Sequence, residues 1–131
     1  MQEGTVLCFD FGLARTGVAA GNTLTRSASP ICIIHAKTNE ERWSAIETLM
    51  VQWEPAFLVV GVPRHGDGTP SDMTPRCERF ARQLGGRFRK KVYTVDERYS
   101  SVMVEHGADK IDDEAAAVIL QQFFDEHECV D

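Results

Sequence analysis

The sequence lacks the features that mark membrane, secreted or repetitive proteins. No apolar run approaches the roughly 18 residues that a membrane-spanning helix requires. The opening stretch, Met1-Gln2-Glu3-Gly4, is acidic and short, unlike the basic and then apolar start of a signal peptide. The chain has no internal repeat and no linker rich in Pro, Gly or Ser. We therefore expect its 131 residues to form a single cytoplasmic domain, residues 1–131, without membrane association.

Cysteine is scarce and is spaced unlike a structural metal site. The chain has 4 cysteines, and no two of them are in C-x-x-C spacing. This disfavours a zinc site. Those at positions 8, 32 and 77 fall within apolar segments, so we expect them to be small buried residues in a reducing compartment.

Basic residues are also few, and they are unevenly placed. The chain has 14 Lys and Arg against 20 Asp and Glu, a net charge of −6 that is unlike a general nucleic-acid binder. Half of the basic residues nevertheless lie within residues 76–91, beside Glu78 as the one acid. Arg76 and Arg79 in this stripe are candidates for contact with a phosphate backbone. The alternative is a solvated helix face, and the pattern does not separate the two.

The apolar pattern predicts an α/β domain. Three short runs open the chain and predict neighbouring antiparallel strands over residues 6–9, 16–20 and 31–34. The run 57–61 is apolar throughout, which predicts a strand buried on both faces. A further strand is predicted over 91–95. Because helices separate the later strands, we expect these strands to pair in parallel.

Four helices are predicted around these strands. A capping box and a proline bound the first helix, at Thr38, Glu41 and Pro55. Its apolar face is predicted to carry Trp43, Ile46, Met50 and Trp53. The second is predicted to start at Thr74 as N-cap before Pro75, and to stop at Gly85-Gly86. A short helix is predicted over 99–106, and the last begins near Asp112.

Carboxylates stand at the ends of three of these elements. Asp10 ends the first strand, Asp96-Glu97 follows the strand over 91–95, and Asp112-Asp113-Glu114 begins the last helix. Each has a plain structural alternative: a turn aspartate, a partner for Arg98 and a helix N-cap. Together they would form an oxygen ligand set, which suits Mg²⁺ or Mn²⁺ and phosphoryl chemistry.

Four motifs in this order resemble those of one bacterial family. They are the segment 10–19 (D-F-G-L-A-R-T-G-V-A), the loop motifs V-G-V-P and D-G-T over 60–63 and 67–69, the box 96–101 (D-E-R-Y-S-S) and the segment 112–121 (D-D-E-A-A-A-V-I-L-Q). Each is weak alone, but the set spans nearly the whole chain. It resembles the YqgF family, described as Holliday junction resolvases and as nucleases of pre-16S ribosomal RNA.

The resemblance implies a ribonuclease-H-like three-layer fold with a five-stranded mixed sheet flanked by helices. It implies catalytic and metal-ligating roles for Asp10, Glu97 and Asp112, with Asp113 as the fallback for the third position. It favours a site role for Arg15, either in contact with a substrate phosphate or paired with a catalytic carboxylate. His65, in the loop over 63–70, is a weaker candidate for substrate contact. The gap from Glu97 to Asp112 is shorter and less basic than the family usually has.

The implied function is a metal-dependent endonuclease acting on structured nucleic acid, with Mg²⁺ or Mn²⁺ as cofactor. Processing of the 5′ end of pre-16S rRNA is the first expectation, and Holliday junction resolution in DNA recombination or repair is the second. A third is a catalytically weak protein that binds RNA or the ribosome. An ATP-binding protein related to actin and sugar kinases is disfavoured because the chain is too short for the second lobe. We expect a monomer or a weak homodimer.

Overall fold

A computed structural model describes residues 3–98 and 113–126 of the chain. This part folds into five strands and three helices. The strands are β1 (Thr5–Asp10), β2 (Arg15–Asn22), β3 (Ser27–His35), β4 (Phe57–Arg64) and β5 (Val92–Arg98). The helices are α1 (Asn39–Trp53), α2 (Thr74–Phe88) and α3 (Asp113–Glu126). None of the helices in the described part is long and apolar enough to span a membrane.

The strands form one mixed sheet in the order β3-β2-β1-β4-β5. The first three make the predicted antiparallel meander, with Asp10 paired to Gly17 and Arg15 paired to His35. The strands β4 and β5 join β1 in parallel, as expected for strands separated by helices. The carboxyl ends of β1, β4 and β5 therefore lie at one edge of the sheet, which we call the carboxyl edge.

Alternating side chains give the sheet two buried faces. Leu7 and Phe9 point to the face covered by α1 and α2, whereas Val6 and Cys8 point to the face covered by α3. The strand β4 is buried along almost its whole length, as its apolar run predicts. The result is the expected α/β fold, with helices on both sides of a five-stranded sheet.

The first helix begins as predicted but buries a different set of residues. Thr38 and Glu41 form the capping box. Ile46 and Met50 are buried, yet Trp53 is 39% exposed, so its predicted place on the buried face is wrong. Arg42, a polar residue that the apolar pattern passed over, is buried instead.

The second helix differs from its prediction at both ends. Thr74 is its first residue and not its N-cap. The Thr74 hydroxyl donates to the carbonyl of Pro63 and accepts from the amide of Ser71 at 2.8 Å, so it does not cap the helix. The Gly85-Gly86 pair does not stop the helix, which continues to Phe88 and is followed by Arg89 in a left-handed conformation. Apolar packing of the helix outweighs the modest cost of helical glycine. The predicted helix over 99–106 lies outside the described residues.

Candidate active site

Two of the predicted catalytic carboxylates come together at the carboxyl edge. Asp10 is the last residue of β1 and lies on the same face as Val6 and Cys8. Glu97 is near the end of β5 and shares its face with Val95, which belongs to the core beneath α3. Both side chains therefore point to the α3 face of the sheet, from strands on either side of β4.

Gly61 makes the space between them. It lies on β4, opposite Val95 of β5 and one position beyond the pair of Val60 with Phe9 of β1, the residue before Asp10. A Cβ atom at this position would lie 2.9 Å from Glu97 Oε2 and 2.6 Å from Ile119 Cδ1. The glycine thus lets the Glu97 carboxylate fold back over β4 towards Asp10, where a larger residue would displace it.

The two acids perturb one another. Burial raises the pKa of Glu97 to about 8, with the negative charge of Asp10 as the second cause. Burial also raises the pKa of the Cys77 thiol to about 12, with further contributions from Asp10 and Glu97. The pKa of the Cys8 thiol is raised for the same reasons, so both buried thiols stay protonated. Asp10 and Glu97 offer only oxygen ligands, which suit a hard divalent cation. Such a cation would supply the positive charge that allows both carboxylates to ionise.

The third carboxylate can be followed as far as the start of α3. Ile119 lies near Gly61 and Glu97, whereas the carbonyl of Phe124 accepts from Arg26 in the β2–β3 turn at the opposite edge. The helix therefore begins towards the carboxyl edge. Asp112 lies outside the described residues, and within them no group of three or more potential metal-ligating side chains occurs. Its role as third ligand, and that of Asp113 as fallback, stay predictions.

Asp96 is not part of the pair, although it precedes Glu97 in the same motif. Alternation along β5 turns it to the opposite face, where Arg64 Nε donates to Asp96 Oδ1 at 3.1 Å. Arg64 also lies 3.5 Å from Glu78 of α2. Asp96 is therefore linked to α2 through Arg64, and it lies on the face of the sheet opposite Glu97.

Arg42 supports the candidate site, although the sequence pattern did not indicate it. Its guanidinium donates to the carbonyl of Leu13 at 2.5 Å and to Asn39 Oδ1 at 2.6 Å, and lies 4.9 Å from the centre of the Phe11 ring. These contacts fix the loop that directly follows Asp10. The signal in the sequence was weak, since a charged residue within an amphipathic helix normally faces solvent.

The remaining predicted site residues lie on three different elements. Arg15 is exposed at the start of β2, two residues before the partner of Asp10. His65 is exposed in the loop after β4, and its backbone carbonyl accepts from the amide of Gly68. Arg76 and Arg79 are exposed on α2, on the other side of the sheet from α3.

The D-G-T motif in that loop has a structural role. Asp67 accepts from the amide of Thr69 at 3.0 Å and from its hydroxyl at 2.7 Å. These bonds lower the pKa of Asp67, which keeps it ionised as the closing residue of the turn. The motif thus shapes the loop that carries His65.

Comparison with known proteins agrees with this architecture. The family model RuvX, described as Holliday junction resolvase, matches residues 4–126. A protein of Burkholderia vietnamiensis named "Putative pre-16S rRNA nuclease" is 49% identical, covering 95% of this chain and 91% of its own. A protein of the same name in Paraburkholderia xenovorans is 48% identical, covering 95% and 90%.

Solved structures show the same fold at low sequence identity. RuvC of T. thermophilus, solved with a Holliday junction, superposes with a TM-score of 0.55 at 12% identity, covering 95% of this chain and 96% of that one. The Pelota protein of Thermoplasma acidophilum reaches 0.51 at 10% identity, covering 95% of this chain but 39% of its own. The fold is therefore ribonuclease-H-like, and the chain belongs to the RuvX (YqgF) family of nucleases.

Proposed function

We propose that the protein is a metal-dependent endonuclease that hydrolyses phosphodiester bonds in structured nucleic acid. The observation that carries the proposal is the carboxylate pair of Asp10 and Glu97, held together above Gly61 at the carboxyl edge. Two acids forced together at a partly buried site are costly unless a cation or a shared proton relieves them. A metal-dependent nuclease has a use for such a pair, which accounts for the electrostatic cost of keeping the two acids together.

Asp10 and Glu97 would hold the cation, with Asp112 as the proposed third ligand. Bound Mg²⁺ or Mn²⁺ supplies an activated water and neutralises charge on the phosphate. The protein contributes the fixed geometry: Arg42 anchors the loop after Asp10, and Gly61 admits the Glu97 carboxylate. Arg15 and His65 are exposed side chains that we predict to contact the substrate.

The names of the close relatives favour pre-16S rRNA as the substrate. We further propose that the protein processes the 5′ end of this precursor in the cytoplasm, as the family resemblance implies. The description of the family model favours a DNA four-way junction as the second candidate. A purely RNA-binding or ribosome-binding role is disfavoured because a binding protein has no need of a crowded acidic pair.

The decisive experiment compares Asp10→Asn with Asp96→Asn. Purified protein is incubated with an RNA carrying the pre-16S 5′ leader and with a four-way DNA junction, in Mg²⁺ or Mn²⁺ and with chelator. We expect wild-type cleavage that requires metal, loss of cleavage by orders of magnitude in Asp10→Asn, and nearly full activity in Asp96→Asn. The control removes an acid of the opposite face and an exposed ion pair of small energetic value. Undiminished cleavage by Asp10→Asn would refute the mechanism.

The third ligand is tested in the same assay. The family motif assigns it to Asp112, so Asp112→Asn should lose orders of magnitude in rate and Asp113→Asn less than about tenfold, as befits an acid that acts through the helix dipole alone. The reverse ranking would assign the ligand to Asp113.

A further inference from the structure

A row of side chains crosses the α3 face of the sheet beside the carboxylate pair. Alternation along β2 puts Val18 and Ala20 in the core beneath α1 and α2, and Ala19 in the core beneath α3. Arg15 is four residues from Ala19, so it shares the face of Asp10 and Glu97. His35 is directly opposite Arg15 on β3 and therefore shares that face as well.

The row is open to solvent at its far end. Arg15 and His35 are both exposed. Gly17, the direct partner of Asp10, carries no side chain that would separate Arg15 from the carboxylates. From strand geometry, the Cα of Arg15 lies about 8–9 Å from that of Asp10, and His35 lies about 5 Å beyond Arg15. The spacing between neighbouring phosphates of a strand is similar to these distances. The side chains of Arg15 and His35 are long enough to make up the difference.

The backbone beneath Arg15 and His35 is held firmly. The amide of Ala36 donates to the carbonyl of Ala14 at 3.2 Å, which extends the β2–β3 ladder past this pair. Arg42 fixes the preceding carbonyl of Leu13. A fixed pair of donors costs less to order on binding than two mobile loop side chains would.

We propose that Arg15 and His35 bind two consecutive phosphates of one nucleic-acid strand, so that the strand runs from the carboxylate pair across β2 to β3. This rests on the proposed function, because it takes the reacting phosphate to lie at Asp10 and Glu97. It adds a binding residue, His35, and a direction for the strand across the sheet. The ligand is the phosphodiester backbone: Arg donates a fork of N–H groups, and the imidazole donates an N–H in either protonation state.

The test walks one uncharged methylphosphonate linkage along a short single strand, made as RNA and as DNA of the same sequence. Affinity is measured by equilibrium binding to the full chain in an Asp10→Asn background, which keeps the strands intact. Arg15→Gln and His35→Gln are compared with the parent and with Lys91→Gln. Lys91 is a matched exposed cation just before β5, at the edge opposite the carboxylates. Thermal unfolding checks that each variant is folded.

We expect Arg15→Gln and His35→Gln each to weaken binding about two- to fivefold, the size of an exposed ionic contact, and Lys91→Gln to leave it unchanged. One linkage should lose its importance in Arg15→Gln, and its immediate neighbour should lose its importance in His35→Gln. Equal profiles for RNA and DNA identify the phosphates as the ligand, and a profile confined to RNA identifies a strand read also through its 2′-hydroxyl groups. An unchanged profile in folded His35→Gln, or two sensitive linkages that are not neighbours, would overturn the path. Since binding is measured without cleavage, failure of the nuclease assay and failure of the path are separate results.

Discussion

Glu97 bears the main electrostatic cost of the candidate site. Its pKa is raised from 4.5 to about 8 by burial and by Asp10, so the folded, metal-free protein takes up a proton that the unfolded chain releases near pH 4.5. The stabilising effect of this proton is complete below about pH 4.5 and is lost as the pH rises towards 8. A bound divalent cation would take over the role of the proton.

Glu97→Gln should remove this pH dependence. We expect the variant and the wild type to be similarly stable near pH 4.5 in chelator, and the variant to be the more stable by several degrees in Tm at pH 8. Added Mg²⁺ should raise the Tm of the wild type at pH 8 and should leave the variant nearly unchanged. Thermal unfolding of both proteins from pH 4.5 to 8.5 measures the difference. Parallel curves in chelator would mean that Glu97 titrates normally.

At the level of elements, Gly61 couples β4, β5 and α3 to the site. Gly61→Ala places a Cβ 2.6 Å from Ile119 Cδ1 and 2.9 Å from Glu97 Oε2, with no backbone atom among its nearest contacts, so we expect the fold to survive with some loss of stability. The Glu97 carboxylate has to move, and we expect cleavage to fall by more than about tenfold, because small displacements of catalytic groups cost that much or more. Circular dichroism and the nuclease assay on the same sample separate the two effects.

Gly86→Ala is the matched control for that substitution. Gly86 lies within α2, and a Cβ there meets nothing within 4 Å. We expect unchanged cleavage and a gain of roughly 0.5–1 kcal/mol in the free energy of unfolding, since alanine is the better helix former. If Gly86→Ala also lost activity, the effect at position 61 would no longer report on Glu97.

Local sequence patterns predicted the strands and the acidic residues that end two of them. Short apolar runs predicted all five strands, although the strands extend further than the runs: β3 begins at Ser27 and β2 ends at Asn22. Acids at strand ends pointed to Asp10 and to the pair Asp96-Glu97, and the family resemblance selected Glu97. The opposite orientation of Asp96 follows from the register of β5, which depends on its pairing with β4. The buried Arg42 depends on the loop that it meets, so no pattern within α1 revealed it.

On the scale of the whole molecule, the proposed function requires an acidic protein to bind a polyanion. Its net charge is −6, yet the α2 face carries exposed Arg76, Arg79 and Arg82. This helix packs on the face opposite α3 and begins after the loop that leaves the carboxyl edge. A duplex or junction bound at that edge would therefore meet hydrogen-bond donors on both sides of the sheet, with Arg15 and His35 on one side and the α2 arginines on the other.

The contribution of α2 can be measured from the dependence of binding on salt. In an Asp10→Asn background, we expect the change of Arg76 and Arg79 together to Gln to weaken binding by a similar factor for any sequence. It should also lower the slope of log affinity against log salt by roughly 1.4–1.8, which corresponds to two phosphate contacts. With the carboxylates restored, turnover at saturating substrate should change little, because both side chains lie on the far side of the sheet from Glu97. Changing Lys90 and Lys91 together to Gln is the matched control, since these cations stand between α2 and β5 at the opposite edge. Equal slopes for the arginine variant and its parent would show that the α2 face is solvated, and that binding rests on the carboxyl edge and its metal alone.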